Sequence, residues 1–254
     1  MDQYLQWKEI LASGGDVTAW QSFYVKFYQA FIESDRWLQY VKGVGTTLYV
    51  TAMALIIGII LGVIVAVVRT AHDQQRPGHR NPVLGIVNAV FKVYVTVIRG
   101  TPMMVQLMIM GFVVFATSRN FTLVGGLSLG INSGAYVSEI IRGGLMAVDS
   151  GQMEAGRSLG LNYIDTMRFV VVPQAVKAIL PALGNEFIVL LKDTSLISVI
   201  AGKELLYAAR GVISRTYEAM FPLLGAAAIY LVLVMIFTWL LGIFERRLRA
   251  SDRR

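Results

Sequence analysis

Two long, uninterrupted apolar stretches set the strongest limit on how this chain can fold. Residues 46–68 read TTLYVTAMALIIGIILGVIVAVV and residues 221–244 form a second stretch, and neither contains a charged residue. A helix of about 20 residues crosses the roughly 30 Å of hydrocarbon in a bilayer. Because a helix also pairs its backbone groups internally, the sequence predicts an all-α polytopic membrane protein.

The composition supports this class, since 56% of the residues are hydrophobic and 15% are charged. The net charge of +7 comes from residues beside the apolar stretches, which is typical of membrane topology and argues against nucleic-acid binding. The absence of cysteine excludes disulfides and thiolate metal sites. The two histidines, His72 and His79, lie in a basic loop, and a solvated loop is favoured there over a metal site.

The hydrophobic segments predict five transmembrane helices, at residues 41–68, 83–115, 123–148, 178–200 and 221–244. Gly58 and Gly62 form a GxxxG pair in the first, which is typical of helix packing. The second is interrupted at residues 99–102 (RGTP) and can be one long helix or two spans. The basic segments 69–80 and 246–254 should both be cytoplasmic, so one long helix, near 50 Å, is predicted.

This count places the N-terminus outside, and the C-terminus and residues 147–177 in the cytoplasm. Before the first span, aromatic residues recur at helical spacing: Trp20, Phe23, Tyr24, Phe27 and Phe31. They predict an amphipathic helix that either lies in the membrane interface or packs against the first span. The chain therefore divides into an N-terminal segment (1–39), a transmembrane domain (40–245) and a basic cytoplasmic tail (246–254).

The cytoplasmic segment contains a polar stretch, EAGRSLGLNYIDTMRFVVVPQA, at residues 154–175. Glu154 near a helix start interacts favourably with the helix dipole. Ala155 and Gly156 keep one surface small enough for a partner to approach. Gly160 can end the first helix in a left-handed conformation, and Pro173 marks where the chain turns back toward the bilayer.

This pattern resembles the EAA motif, E-A-A-x3-G-x9-I-x-L-P, of binding-protein-dependent ABC importer permeases. Gly156 replaces the third-position alanine, and Val170 and Val172 replace Ile and Leu. Three further stretches, VIRGTPMMVQL (97–107), GAYVSEIIRGGLMAV (134–148) and LPALGNEFIVLLKDTSLISVI (180–200), together with GVGTTLYVTAMA (43–54), resemble the permeases that import polar amino acids. The resemblance covers residues 40–245 in the right order.

The resemblance implies a type I ABC importer permease fold and a transporter subunit that is not an enzyme. The subunit would move a polar or charged amino acid across the bacterial plasma (inner) membrane by alternating access. A dimer of separate ABC ATPase subunits would bind ATP and Mg²⁺ and dock on the loop through Glu154, Ala155, Gly156, Gly160 and Pro173. A second permease subunit, the same or homologous, and an extracytoplasmic amino-acid-binding protein would complete the assembly. The chain itself carries no cofactor.

Polar residues within the predicted spans need an account because lipid disfavours them. Asn185 and Glu186 precede the midpoint of the fourth span, and Lys192 and Asp193 follow it at a spacing of seven, which predicts one polar stripe. The stripe either lines a pathway, which is favoured, or neutralises charges between spans. Glu186 is the candidate for a substrate ammonium, and the candidates for its carboxylate are Thr101, Gln106, Ser195 and Ser198.

Two arginines have separate interpretations. Arg99, beside the RGTP break, is either a gate or substrate contact or part of a structural kink. Glu139 and Arg142 are three residues apart on one helix and can form a structural pair.

Two other functional classes compete with an ABC permease. An ion-coupled secondary transporter would show inverted repeats with paired broken helices, and a membrane enzyme would show a catalytic motif. Neither pattern is present, and no catalytic residue is predicted. The chain also has no G-x-x-x-x-G-K-[ST] sequence with which to bind ATP itself.

Overall fold

The protein is helical throughout the part of the chain that the structure describes. A computed structural model describes residues 2–75 and 81–251; Arg76, His79 and Arg80 of the predicted basic loop, and residues 252–254 of the tail, lie outside these ranges. The N-terminal segment contains α1 (Asp2–Ala12), α2 (Ala19–Phe31) and a short 3-10 turn (Glu33–Asp35).

The remaining helices follow in chain order. The first half contains α3 (Trp37–Asp73), α4 (Pro82–Gly100), α5 (Met103–Ile109) with a π-helical extension (Met110–Val114), and α6 (Phe121–Met146). The second half contains α7 (Ser150–Ser158), α8 (Tyr163–Thr166) with a π-helical extension (Met167–Val171), α9 (Val172–Asp193) with a 3-10 extension (Thr194–Ile200), α10 (Leu205–Thr216) and α11 (Met220–Ser251).

Four helical stretches among the described residues are long and apolar enough to cross a membrane: Glu33–Asp73, Pro82–Gly100, Tyr163–Ile200 and Met220–Leu248. The all-α polytopic prediction is confirmed. The remaining predicted span corresponds to α6, which is 26 residues long but rich in glycine and serine. α6 is buried along much of its length by the other helices, so it needs less apolar surface than a helix surrounded by lipid.

Among the described residues, the most extensive contact between two helices is the one between α3 and α6. A Cβ atom added to Gly58 would lie 2.7 Å from Ser133 Oγ, and one added to Gly62 would lie 2.5 Å from Val137 Cγ1. Such short separations leave no room for a larger side chain, so glycine lets the two backbones approach. The prediction that this GxxxG pair packs against another helix is confirmed.

The prediction of one long helix over residues 83–115 is wrong. α4 ends at Gly100, Thr101 and Pro102 have extended backbone with ψ values of 148° and 132°, and α5 begins at Met103. Pro102 has no N–H to donate and its ring disfavours a helical conformation at the preceding Thr101, which explains the break.

α4 and α5 nevertheless follow α6 in one direction. Tyr94 of α4 donates a hydrogen bond to the Ile131 carbonyl, and Leu107 of α5 packs with Leu129 and Val124, closer to the start of α6. The two helices therefore run in the same direction along α6, and the five-span count stays a prediction.

The N-terminal segment packs against α10, α11 and the connection between them. The Phe23 ring meets the Phe221 ring edge-on at a centroid distance of 5.1 Å, and Lys26 Nζ lies 3.0 Å from Glu218 Oε2. Trp20 is still 67% exposed. At the end of α2 the Phe31 ring also lies at a centroid distance of 5.4 Å from the Tyr40 ring of α3. The packing interpretation therefore holds, with α10 and α11 as partners in addition to the first span, and interfacial contact of the exposed aromatic side chains stays a prediction.

A buried carboxylate starts α10. Glu204 is 1% exposed, and it accepts hydrogen bonds from the Leu206 and Tyr207 amides at 2.8 and 2.6 Å and from the Tyr230 hydroxyl. Burial raises the pKa of Glu204 above its usual value, whereas these hydrogen bonds and the nearby Arg210 charge partly oppose that rise. This carboxylate thus holds the start of α10 against α11.

Candidate functional site

The loop predicted to dock on a partner is a compact pair of short helices. Asp149 caps the first by accepting a hydrogen bond from the Gly151 amide at 2.6 Å. The helix ends at Gly160, whose φ is +84°, with the Leu161 amide bonded to the Gly156 carbonyl at 3.1 Å. This is a Schellman-type ending, and the prediction that Gly160 ends the helix in a left-handed conformation is confirmed.

Gly156 has a different role from the predicted one. It is buried, and a Cβ atom added to it would lie 2.5 Å from Thr166 Cγ2. Thr166 is itself fully buried and its hydroxyl donates to the Asn162 carbonyl at 2.8 Å. Gly156 therefore lets α7 and α8 pack together, and its small size is not available to a partner protein.

The outer surface of this pair carries exposed apolar side chains. Leu159 is 83% exposed and Ile164 is 72% exposed, while Glu154 and Ala155 are also exposed. Sequence reasoning missed Leu159 and Ile164, although apolar residues in a polar stretch outside the spans would have indicated them. Exposed apolar groups among polar ones are typical of a protein–protein contact surface.

Pro173 does not turn the chain back toward the membrane, so that prediction is wrong. Helical structure runs from Tyr163 to Ile200, and Pro173 lies in the first turn of α9. The π-helical residues Met167–Val171 immediately precede it. The π turn and the position of Pro173 in the first turn of α9 accommodate a proline that has no N–H, so the helical structure continues through it.

Hydrogen bonds attach the loop to the membrane helices. Gln174 of α9 donates to Gln152 of α7 at 3.1 Å, and the Tyr163 hydroxyl donates to the Gln74 side chain at the end of α3. Together with the continuous helix, these contacts connect the loop mechanically to α9.

Charged residues link α3 and α6 near this same end. Arg142 donates to Asp73 at 2.6 Å, and Arg69 pairs with Glu139. The predicted Glu139–Arg142 pair is also present, with a longer separation of 3.9 Å. The structural interpretation is confirmed, but the shorter partners of both residues belong to α3. His72 contacts Asn88 at 3.1 Å.

A polar cluster forms where α4 breaks into α5. Gln106 donates to Thr101 Oγ1 and to the Ile98 carbonyl, both at 2.8 Å, and Asn132 of α6 donates to Gln106 Oε1 at 3.0 Å. The Ile98 carbonyl is among those that the break leaves without a helical partner. The side chain of Gln106 thus satisfies backbone that would otherwise be unpaired in the membrane.

Glu186 of α9 contacts α6 at the residue next to Asn132. Its side chain accepts a hydrogen bond from Ser133 Oγ at 2.7 Å. Ser133 is fully buried, whereas Glu186 is half-buried. Asn132 and Ser133 are consecutive, so one segment of α6 contacts both polar groups. Sequence reasoning missed these two residues; polar side chains in the middle of a predicted span were the available signal.

The other predicted pathway residues are not part of this cluster. Asn185 is exposed and bonds to the Pro181 carbonyl of its own helix at 3.2 Å, and Lys192 shares its exposed face. Arg99 lies 5.3 Å from the centre of the Tyr136 ring. Ser195 and Ser198, candidates for the same cavity as Glu186, lie beyond α9 in the 3-10 extension.

Comparisons with known proteins agree with these features. Residues 82–250 match the family model of the binding-protein-dependent transport system inner membrane component. The arginine transport system permease protein ArtQ of Bacillus subtilis is 37% identical, over 83% of this chain and 93% of that protein. The glutamine transport system permease protein GlnP of Escherichia coli is 33% identical, over 82% of this chain and 92% of that protein.

Solved structures show the same fold. The crystal structure of an amino acid ABC transporter with histidines contains a chain that is 41% identical, with a TM-score of 0.74, covering 82% of this chain and 94% of that one. A chain of the inward-facing MetNI methionine ABC transporter is 18% identical, with a TM-score of 0.72. The match covers 85% of this chain and 99% of that one. The latter likeness concerns the fold alone.

Proposed function

Because this chain belongs to the family of binding-protein-dependent transport system inner membrane components, we propose that it is the permease subunit of an ABC importer for a polar or charged amino acid. An extracytoplasmic solute-binding protein delivers the substrate, and a separate ATPase dimer binds ATP and Mg²⁺ and drives alternating access. The N-terminus lies outside and the C-terminus in the cytoplasm of the bacterial inner membrane.

The observation that carries this proposal is the exposed surface of α7 and α8. Leu159 and Ile164 lie outside the apolar spans, beside the exposed Glu154, on helices held rigidly to α9. From Thr166 to Glu186 the helix rises by about 30 Å at 1.5 Å per residue. An ATPase that moves α7 and α8 would therefore shift the position of Glu186 through one continuous helix.

The exposed polar face of α9 supports pairing with a second permease. Asn185, Val189 and Lys192 recur at spacings of four and three residues and are all exposed. An isolated chain would present Lys192 to lipid, which is costly, whereas a second subunit would enclose this face as a polar pathway. Thr101 in the break between α4 and α5 is hydrogen-bonded to Gln106, and Arg99 lies in the last turn before the break. Glu186 remains the candidate for binding the substrate ammonium.

The coupling surface can be tested with charge substitutions. Leu159→Asp and Glu154→Lys should abolish ATPase binding and uptake while leaving membrane insertion unchanged, because no span is altered. Tyr217→Asp, at a residue that is 93% exposed outside the coupling loop, is the matched control and should retain both activities.

Normal uptake by both loop variants would contradict the assignment. Uptake that continues without any ATPase, and follows an ion gradient, would instead support a secondary transporter.

A further inference from the structure

A cationic cavity lies where the first turns of α3 face α10 and the 3-10 extension of α9. Its volume is about 740 Å³. Four basic residues line it: Lys42 from α3, Lys203 from the connection to α10, and Arg210 and Arg215 from α10. All four are exposed, and none forms an ion pair within 4.0 Å among the described residues.

Glu204, the one carboxylate among the described residues of the lining, can offset at most one of these four charges. Glu204 is 1% exposed, and both of its oxygens accept hydrogen bonds from within the protein. Arg210 donates to the Ser198 carbonyl at 3.1 Å, which fixes one end of its guanidinium and leaves other N–H groups available. Four cations around one cavity repel each other, and an anion between them would relieve that repulsion.

The cavity lies next to the end of α9. Asn185, Val189 and Lys192 are exposed on α9, and Ser198 and Val199 of the 3-10 extension that follows α9 line the cavity. The chain segment that carries the proposed pathway face therefore continues into the lining of the cationic cavity. In the proposed orientation this end is extracytoplasmic, where substrate would enter.

We propose that this cavity is an electrostatic entry site that binds the carboxylate groups of the incoming amino acid and favours acidic amino acids over basic ones. The inference rests on the proposed function and adds a substrate class to it. Lysine and arginine side chains would supply charge-assisted hydrogen bonds to a carboxylate. A basic amino acid would bring a second cationic group into a cavity that already carries an excess of positive charge.

The test measures ligand binding to the full-length permease in nanodiscs of zwitterionic lipid. Glutamate should bind, with an affinity that falls as salt increases, and lysine should not bind measurably. The double variant Lys42→Gln/Arg210→Gln should weaken glutamate binding by about tenfold or more, as expected for the loss of charge-assisted contacts. The charge-preserving variant Lys42→Arg/Arg210→Lys should retain most of the affinity, and Lys92→Gln, an exposed lysine on α4, should match the wild type.

Three results would overturn the proposal: equal binding of glutamate and lysine, undiminished glutamate binding by the double glutamine variant, or binding only of phosphatidylglycerol in mixed-lipid nanodiscs. Inorganic phosphate that binds as tightly as glutamate would overturn the carboxylate assignment. Stimulation of the partner ATPase by the loaded binding protein is measured in parallel. If that stimulation is normal while glutamate fails to bind, the entry site is refuted and the importer function stands.

Discussion

Restoring the alanine of the EAA motif should damage this protein, because Thr166 occupies the space that the alanine would need. In Gly156→Ala the new Cβ atom would lie 2.5 Å from Thr166 Cγ2, 3.1 Å from Thr166 Oγ1 and 3.4 Å from Thr166 Cβ. The first distance is far below an ordinary contact, and the second requires a small adjustment. Both helices are held by other contacts, so α7 must move away from α8.

The net effect is the difference between two terms. Overpacking of this kind costs about 1–3 kcal/mol, whereas replacing a helical glycine with alanine gains about 0.5–1 kcal/mol. We therefore expect a net loss of up to about 2.5 kcal/mol in the local stability of α7, with a midpoint of about 1.3 kcal/mol. Gly143→Ala supplies the control, since Gly143 is an exposed helical glycine with no atom within 4 Å of the added Cβ, and this variant should be more stable.

Thr166→Ser removes the clashing methyl group but keeps the hydroxyl that bonds to the Asn162 carbonyl. The double variant Gly156→Ala/Thr166→Ser should regain much of the lost stability, which is the non-additivity expected for residues in contact.

Amide hydrogen exchange over residues 150–166 measures the effect directly. Protection should fall by up to about seventyfold in Gly156→Ala, about eightfold at the midpoint, and recover in the double variant, because about 1.4 kcal/mol corresponds to a factor of ten. ATPase binding should weaken in parallel. The reasoning is refuted if Gly156→Ala gains protection over residues 150–166, as Gly143→Ala should over the end of α6, or if Thr166→Ser leaves the effect of Gly156→Ala unchanged.

Three further predictions concern the membrane region and the topology. Glu186→Gln keeps an acceptor for the Ser133 hydroxyl but removes the charge. The affinity of the membrane domain for substrate should therefore fall by about ten- to a hundredfold, while the melting temperature stays unchanged. A lower melting temperature would favour a structural role for Glu186. Tyr230→Phe removes a hydrogen-bond donor to the ionised form of Glu204, whose pKa is raised by burial. The melting temperature of this variant should therefore fall more at pH 8 than at pH 5. An equal fall at the two pH values would contradict a buried carboxylate at Glu204. A cysteine at Gln75 should be labelled only from the cytoplasm and one at Ser214 only from outside, and labelling of both from one side would overturn the five-span topology.

The sequence by itself determined the class of fold, the helix end at Gly160 and one helix-packing pair. Two charge-free stretches were sufficient to indicate a helical membrane protein, because a bilayer leaves the backbone almost no alternative. Gly160 was identifiable as a helix end because only glycine adopts a left-handed conformation at little cost. Gly58 and Gly62 were recognisable as a packing pair from their spacing alone.

The tertiary structure decided which residues meet. Sequence reasoning predicted one helix on both sides of Thr101. The positions of the basic loops limit how many times the chain crosses the membrane, but they do not show whether a crossing is one continuous helix. Sequence reasoning also assigned Gly156 to a partner surface, whereas Thr166, ten residues further along, fills the space beside it. The Asn132–Gln106 and Ser133–Glu186 bonds connect residues 26 and 53 positions apart. Pairings over such separations depend on how helices are arranged in space, and no local pattern of residue types encodes that arrangement.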